Sequence, residues 1–130
     1  MRIAVVGAGA IGGWLGVRLA AAGHDVGGLA RGATLEALRS RPWRLDHSGG
    51  QLEANVRASD DAAELGAHDL VILAVKGPAI TSVAAATAAL LAPDAVPLPA
   101  INGVPKRVMT STTFSRLRYE EMGEAAPGCA

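Results

Sequence analysis

The sequence predicts an α/β fold: a doubly wound, mostly parallel sheet in a single domain with an irregular C-terminal tail. Residues 2–6 and 69–75 each contain one charged residue followed by a continuous apolar run, which is typical of a strand buried in a parallel sheet. Each run precedes a stretch with apolar residues at helical spacing, at 10–22 and at 79–91. Strands that alternate with helices imply right-handed crossovers and a parallel sheet.

The first predicted helix, residues 10–22, combines apolar positions with a run of glycines. The glycines leave a groove in which the helix can approach the sheet, and Gly23 is a typical helix terminator. The apolar positions are Ile11, Trp14, Leu15 and Leu19, and the groove positions are Gly12, Gly13 and Gly16.

The second strand is expected at 26–30 and is a weak one, because Gly27 and Gly28 lie inside it. A short helix follows at 33–39 and ends before Pro42. Its inward-facing residues are Leu35 and Leu38.

The middle of the chain predicts a β-hairpin, since residues 43–45 and 52–57 flank a turn that contains glycine. Asp60 and Asp61 are expected to cap a short helix that ends at Gly66.

The last predicted elements are the helix at 79–91 and a strand at 96–101. Pro97 and Pro99 weaken this strand, because proline cannot donate to a ladder. We expect one domain over residues 1–105, and a polar, poorly ordered tail over 106–130. The helix should bury one side, made of Ile80, Val83, Thr87, Leu90 and Leu91.

The composition fits one soluble domain with a modest core, as 130 residues allow. Twelve Lys and Arg balance twelve Asp and Glu, so nucleic acid is not an expected partner. The single cysteine, Cys129, excludes an internal disulfide and fits a reducing compartment. No apolar stretch reaches the roughly 20 residues that span a bilayer. We therefore expect a cytoplasmic protein with no membrane partner.

The strongest motif is a G-x-G-x-x-G sequence between the first strand and the first helix. Gly7 permits a tight turn, Gly9 lets the backbone approach a diphosphate, and Gly12 allows close packing of helix on strand. The helix N-terminus offers free N–H groups and a positive dipole end to phosphates. The motif predicts a Rossmann-type dinucleotide-binding fold, with a purely structural glycine turn as the alternative. The predicted cofactor-binding residues of the loop are Gly7, Ala8, Gly9, Ala10, Ile11 and Gly12.

Arg31 follows the second strand, about 20 residues beyond the loop, where this fold meets the ribose 2′-oxygen. An acidic residue there would accept a hydrogen bond from the free 2′-hydroxyl of NAD. An arginine instead presents a planar, permanently charged fork to a 2′-phosphate. Arg31 therefore predicts NADP(H), with a solvated strand-end arginine as the alternative. Thr34 either adds a hydroxyl to the same phosphate or, as we expect, caps the following helix.

Lys76 and Asn102 each follow a predicted strand, at the carboxyl edge where parallel sheets bind ligands. The Asn102 amide can donate and accept, which suits a carboxamide, a ribose or a substrate hydroxyl. The alternatives are an exposed turn lysine and an Asn-Gly turn.

The three histidines, His24, His47 and His68, are dispersed over predicted surface turns without metal-ligand spacing. We interpret all three as solvated and expect no metal site.

Several segments together resemble the N-terminal domain of ketopantoate reductase (2-dehydropantoate 2-reductase), over about residues 1–105. They are the opening strand with its glycine loop, Leu29-Ala-Arg-Gly32, the strand that ends at Lys76, and Asn102-Gly-Val104. The resemblance implies NADPH-dependent reduction of 2-dehydropantoate, a 2-keto acid, to pantoate on the route to pantothenate and coenzyme A. It gives Lys76 a place at the cofactor site and gives Asn102 a positioning role toward cofactor and substrate.

The family's proton-donating lysine belongs to a helical C-terminal domain that residues 1–130 do not contain, and a carbonyl that accepts hydride needs such a donor nearby. We therefore expect an incomplete chain with little activity alone. The rival hypothesis is a non-catalytic NADP(H)-binding or sensing module. It would form a homo-oligomer, or act with a partner chain, through the face that the absent domain leaves exposed.

Overall fold

The computed structural model describes residues 1–76 and 79–100. Asn102, Cys129 and the tail predicted at 106–130 lie outside the described residues. The elements in chain order are β1 (Arg2–Val6), α1 (Ala10–Ala21), β2 (Asp25–Leu29), α2 (Gly32–Ser40), β3 (Trp43–His47), β4 (Gly50–Ala54), β5 (Arg57–Ser59), α3 (Ala62–Leu65), β6 (His68–Leu73), α4 (Ile80–Leu90) and β7 (Leu91–Pro99).

Five strands form a parallel sheet in the order β5-β2-β1-β6-β7, with helices on both faces. The predicted α/β class is therefore confirmed. Val6 at the end of β1 lies between Leu29 of β2 and Leu73 of β6, so three strands end at one level. The chain order reverses between β1 and β6, and a crevice opens at the carboxyl ends of strands at such a switch point.

The prolines of β7 do not weaken the sheet in the way that the sequence suggested. The backbone N–H of Ala100 donates to the carbonyl of Leu73 (2.8 Å). Every second residue counted back from Ala100 is in phase with it and points its N–H towards β6. Pro97 and Pro99 are out of phase with it, so their nitrogens point away from β6. Because β7 is an edge strand of the sheet that the described residues form, no ladder hydrogen bond of that sheet is lost there.

The two halves of the core lie on opposite faces of the sheet. On the α1 face, Trp43 packs with β-sheet residues and with apolar residues of the hairpin. On the α3–α4 face, aliphatic side chains of both helices cover the sheet. The α1-face cluster is Ile3, Val5, Val17, Val26, Trp43 and Ile72. The other cluster contains Ala4, Val6, Leu29, Ala62, Leu65, Val71, Leu73, Val83, Ala84 and Leu90.

The apolar spacing of α1 predicted its buried side only in part. Ile11 and Trp14 are 58% and 46% exposed, whereas Leu15 and Leu19 are partly buried against the α1-face cluster. The fully buried positions are Val17 and two of the predicted groove glycines, Gly12 and Gly16. A helix that packs through glycines has its closest contact with the fold where side chains are absent.

The segment between α2 and α3 is the part of the fold that the sequence predicted least well. The hairpin exists, but its strands are β3 and β4, and Arg57 belongs instead to β5, an unpredicted edge strand that pairs with β2. Thr34 lies inside α2, whose N-cap is Arg31, so Thr34 does not cap that helix.

The remaining helices follow the sequence closely. The Asp61 carboxylate caps α3 by accepting a hydrogen bond from the Ala63 N–H (2.9 Å), and Gly66 ends that helix with a positive φ. Four of the five residues predicted on the inner side of α4 are buried, while Leu91 begins β7. Those four are Ile80, Val83, Thr87 and Leu90.

Gly27 and Gly28 do not disrupt β2, which pairs in register with β1 and β5. Each glycine faces a large ring, closely in the case of Gly27 and at ordinary contact distance in the case of Gly28. A Cβ on Gly27 would lie 3.1 Å from Nε2 of His68, and a Cβ on Gly28 would lie 3.6 Å from Cη2 of Trp43. The two rings lie on opposite sides of the sheet, because successive residues of a strand face opposite ways.

The prediction that His68 is solvated was wrong, because the side chain is fully buried at the start of β6. Its Nδ1 is 2.8 Å from the carbonyl oxygen of Gly66, while Nε2 is buried without a hydrogen-bond partner among residues 1–76 and 79–100. Burial lowers the pKa of His68 below its ordinary value, since a charged imidazole would lose its hydration.

Candidate functional site

The glycine loop joins β1 to α1 at the level where the three central strands end. Gly7 has φ +94°, and its N–H donates to the carbonyl of Leu29 (3.1 Å), which ties the turn to β2. A Cβ on Gly7 would lie 2.7 Å from the carbonyl oxygen of Ala74. Both the backbone conformation and the close approach of β6 therefore require glycine at this position.

Gly9 and Gly12 serve the loop in different ways. Gly9 is the N-cap of α1, makes no side-chain cap hydrogen bond, and a Cβ there would meet nothing within 4 Å. This opening leaves the first N–H groups of α1 accessible, and the first turn carries no acidic side chain to compete for them. A Cβ on Gly12 would instead overlap the Gly7 carbonyl oxygen, so helix and turn pack directly together.

A crevice of about 290 Å³ extends from this loop across the ends of β1 and β2. Arg31 is the only charged residue among the described residues that line it. It is exposed and takes part in none of the ion pairs or side-chain hydrogen bonds formed within residues 1–76 and 79–100. The lining is Val6, Gly7, Ala8, Gly9, Leu29, Ala30, Arg31, Thr34, Val75, Ala79, Ser82 and Val83.

The predicted site residues are only partly brought together. Gly7, Ala8, Gly9 and Arg31 line the crevice, whereas Ala10 and Ile11 are exposed in the first turn of α1. Three further predicted residues are not among the lining residues of the crevice. Gly12 is buried behind the loop, Lys76 is exposed one residue beyond the crevice residue Val75, and Asn102 lies outside the described residues.

The start of α4 is a part of the crevice that the sequence did not predict. Ala79, Ser82 and Val83 line it opposite Arg31, and the Ser82 hydroxyl donates to the carbonyl of Ala79 (2.7 Å). The order of strands and helices provides the only signal, since α4 follows β6 and must begin at the same edge of the sheet.

A larger cavity of about 550 Å³ lies between α2 and the hairpin. It adjoins the crevice at Thr34, which lines both. We take the smaller crevice as the candidate functional site, because it contains the exposed helix N-terminus, the glycine turn and the carboxyl ends of the strands at the switch point.

Two further structural observations concern the described residues only. No helix among them combines the length and hydropathy required to cross a membrane. Within the same residues, no group of three His, Cys, Asp or Glu side chains is placed to hold a metal ion.

The sheet order, the glycine turn and the open N-terminus of α1 define a Rossmann-type dinucleotide-binding domain. The family model described as "Ketopantoate reductase PanE/ApbA" matches residues 3–115 of the chain. The chain therefore belongs to the ketopantoate reductase family, whose members use NADH or NADPH.

The chain is similar to a curated relative and to several proteins of solved structure. It is 44% identical over 106 residues to a 2-dehydropantoate 2-reductase from Mesorhizobium japonicum, covering 81% of this chain and 32% of that protein. A protein from Ralstonia solanacearum MolK2, assigned as a ketopantoate reductase, shares 54% identity with a TM-score of 0.76. That match covers 80% of this chain and 32% of the other.

A PanE/ApbA family ketopantoate reductase from Ralstonia eutropha JMP134 is 34% identical with a TM-score of 0.75, covering 90% of this chain and 38% of its own. The chain thus spans about a third of the length of these relatives, in agreement with the N-terminal segment predicted from the motifs.

Proposed function

We propose that the chain binds NADP(H) as the N-terminal domain of a 2-dehydropantoate 2-reductase, which reduces the keto group of 2-dehydropantoate to give pantoate. The observation that carries the proposal is the position of Arg31 in the crevice that starts at the glycine loop. A guanidinium with no partner among the described residues is free to form a bidentate contact with a 2′-phosphate.

The shape of the crevice supports a dinucleotide as the ligand. The diphosphate would rest on the first N–H groups of α1, where the absence of a Cβ at Gly9 leaves space for it. The apolar walls formed by Leu29, Val75 and Val83 suit the adenosine end, next to Arg31. When bound, the reduced nicotinamide supplies the hydride.

Two further residues belong to the proposal. Lys76, exposed beyond the end of β6, would approach the cofactor from the β6 side of the crevice. Asn102, with its ability to donate and accept, would position the nicotinamide and the keto acid. Both assignments rest on the resemblance to the family.

Calorimetric titration of the chain with NADPH and with NADH tests the proposal. NADPH should bind at least about tenfold more tightly, since hydrogen bonds to a charged group contribute about 1.5–3 kcal/mol. Arg31→Ala should weaken NADPH binding by about 10- to 100-fold and leave NADH binding unchanged.

Arg44→Ala is the matched control, because Arg44 is an exposed arginine of the hairpin whose partner is Asp46, not a residue of the crevice. It should leave both affinities unchanged. Equal binding of NADPH and NADH by the unaltered chain would contradict the assignment of Arg31 to the 2′-phosphate.

A further inference from the structure

The ring of Trp43 lies between the two elements that carry the proposed cofactor site. Trp43 comes from β3, is 8% exposed, and its six-membered ring faces Gly16 of α1 so closely that a Cβ on Gly16 would overlap it. The same ring edge faces Gly28 of β2, where a Cβ would lie 3.6 Å from Cη2. One aromatic side chain thus fills the space between glycines of a helix and of a strand.

These two glycines are connected to the site by short, regular stretches of chain. Gly16 is in the same helix as the N-cap Gly9, and Gly28 is followed by Leu29, Ala30 and Arg31 in the crevice. Because a helix and a strand are stiff over such lengths, the thickness of the ring helps to set how far the N-terminus of α1 lies from Arg31.

The hairpin that carries Trp43 also packs against its ring. Trp43 pairs with Ala54 across β3 and β4, and Leu45 and Leu52 pack in the same apolar cluster. The cavity between α2 and the hairpin borders another part of Trp43.

We propose that Trp43 is a positioning residue for the cofactor site, which acts through Gly16 by fixing the N-terminus of α1 against the diphosphate of the dinucleotide. This inference rests on the proposed function. It assigns a role in binding to the hairpin, an element that contributes no residue to the crevice.

Substitutions of Trp43 and of Arg31 should differ in which of the two cofactors they weaken. NADH and NADPH share the diphosphate, so a displaced α1 weakens both by the same factor. Arg31 meets only the 2′-phosphate, so its removal changes the ratio of the two affinities.

The test is a set of four variants, Gly16→Ala, Trp43→Ala, Trp43→Phe and Gly16→Ala/Trp43→Ala, each titrated with NADH and NADPH well below its melting temperature. Gly16→Ala should weaken both cofactors by about tenfold, as expected for the loss of one N–H hydrogen bond to a charged phosphate, with the ratio unchanged. Trp43→Ala should do the same, and Trp43→Phe should keep affinity within about threefold because it retains a ring.

The double variant distinguishes a role of the Trp43 ring as a spacer against α1 from a general loss of stability. With the ring removed, the new methyl group has room, so Gly16→Ala should cause no further loss of affinity in the Trp43→Ala background. Alanine also favours the helix by about 1 kcal/mol over glycine, so a weaker affinity of the single variant cannot come from helix propensity.

Wild-type affinity in both Gly16→Ala and Trp43→Ala would overturn the positioning role and leave the proposed function intact. If Gly16→Ala reduced affinity equally in the unaltered chain and in the Trp43→Ala background, the positioning role would also be overturned. The new methyl group would then be acting through something other than the Trp43 ring. Failure of the unaltered chain to bind either dinucleotide would overturn the proposed function, and the positioning role with it.

Discussion

Helices α1 and α4 cover opposite faces of one sheet, and they do so by different means. Helix α4 buries Ile80, Val83 and Leu90 at helical spacing, and Val83 and Leu90 pack in the cluster on that face. Helix α1 buries Gly12, Gly16 and Val17, and its two largest apolar residues in the first turns, Ile11 and Trp14, are exposed. Glycine thus provides much of the contact surface of α1, whereas that of α4 contains more large aliphatic side chains.

The two kinds of contact contribute different things to the fold. Burial of a large aliphatic side chain contributes about 1.5–3 kcal/mol, and α4 contributes several of them. A glycine contributes no such burial and costs conformational entropy, but it allows the N-terminus of α1 to lie directly on the turn at Gly7. The crevice borders both helices, because it contains the glycine loop that precedes α1 as well as Ala79, Ser82 and Val83 at the start of α4.

The largest effect should come from Gly12→Ala, which tests whether the close approach of α1 is obligatory. The new Cβ would overlap the carbonyl oxygen of Gly7, and both partners are backbone atoms that no rotamer change can separate. We expect a loss of about 4 kcal/mol or more in the free energy of unfolding, measured by urea denaturation.

Gly13→Ala is the control for this substitution, one position along the same helix. A Cβ there would meet nothing closer than the Trp43 Nε1 at 3.9 Å, so helix propensity should stabilise the protein by up to about 1 kcal/mol. Similar free energies for the two variants would mean that α1 can shift away from the turn at little cost.

A smaller effect is expected from Leu90→Ala, which probes the aliphatic packing of α4. Leu90 is fully buried, and a cavity of this kind costs about 2–5 kcal/mol in the free energy of unfolding. The preference for NADPH over NADH should not change, because Leu90 does not line the crevice.

Leu98→Ala provides the same chemical change at a 47% exposed position of β7, and it should cost less than about 1 kcal/mol. An equal loss from the two leucine variants in the same denaturation experiment would contradict the view that the α4 face carries the stability.

The smallest effect concerns His68, the buried polar group on the α4 face. Because burial lowers its pKa below 6.5, the unfolded chain takes up a proton before the folded chain does as the pH falls. The stabilising contribution is therefore complete above pH 6.5 and is lost as the pH falls from there towards the pKa of the folded state. The slope is at most about 1.4 kcal/mol per pH unit, which corresponds to one proton.

Urea denaturation at pH 7.5, 6.5 and 5.5 measures this slope. His68→Asn should flatten the pH dependence, while His47→Asn, at an exposed position of the hairpin, should keep the slope of the unaltered chain. A slope that survives His68→Asn would assign the acid sensitivity to other groups.

The sequence predicted the crevice better from one side than from the other. The glycine spacing and Arg31 located the loop and the end of β2, since both are read within about thirty residues of continuous chain. Ala79, Ser82 and Val83 were missed because they reach the crevice only when β6 pairs beside β1.

The sequence by itself determined the opening strand, loop and helix, the inner side of α4 and the alternation that makes the sheet parallel, because those follow from spacing along a short stretch of chain. Only the tertiary structure decided that Gly16 and Gly28 face Trp43, that Gly27 faces His68, and that Arg57 lies in an edge strand. The physical reason is that a glycine gives no indication of what will occupy the space it leaves. That occupant comes from a distant part of the chain and is selected when the layers pack.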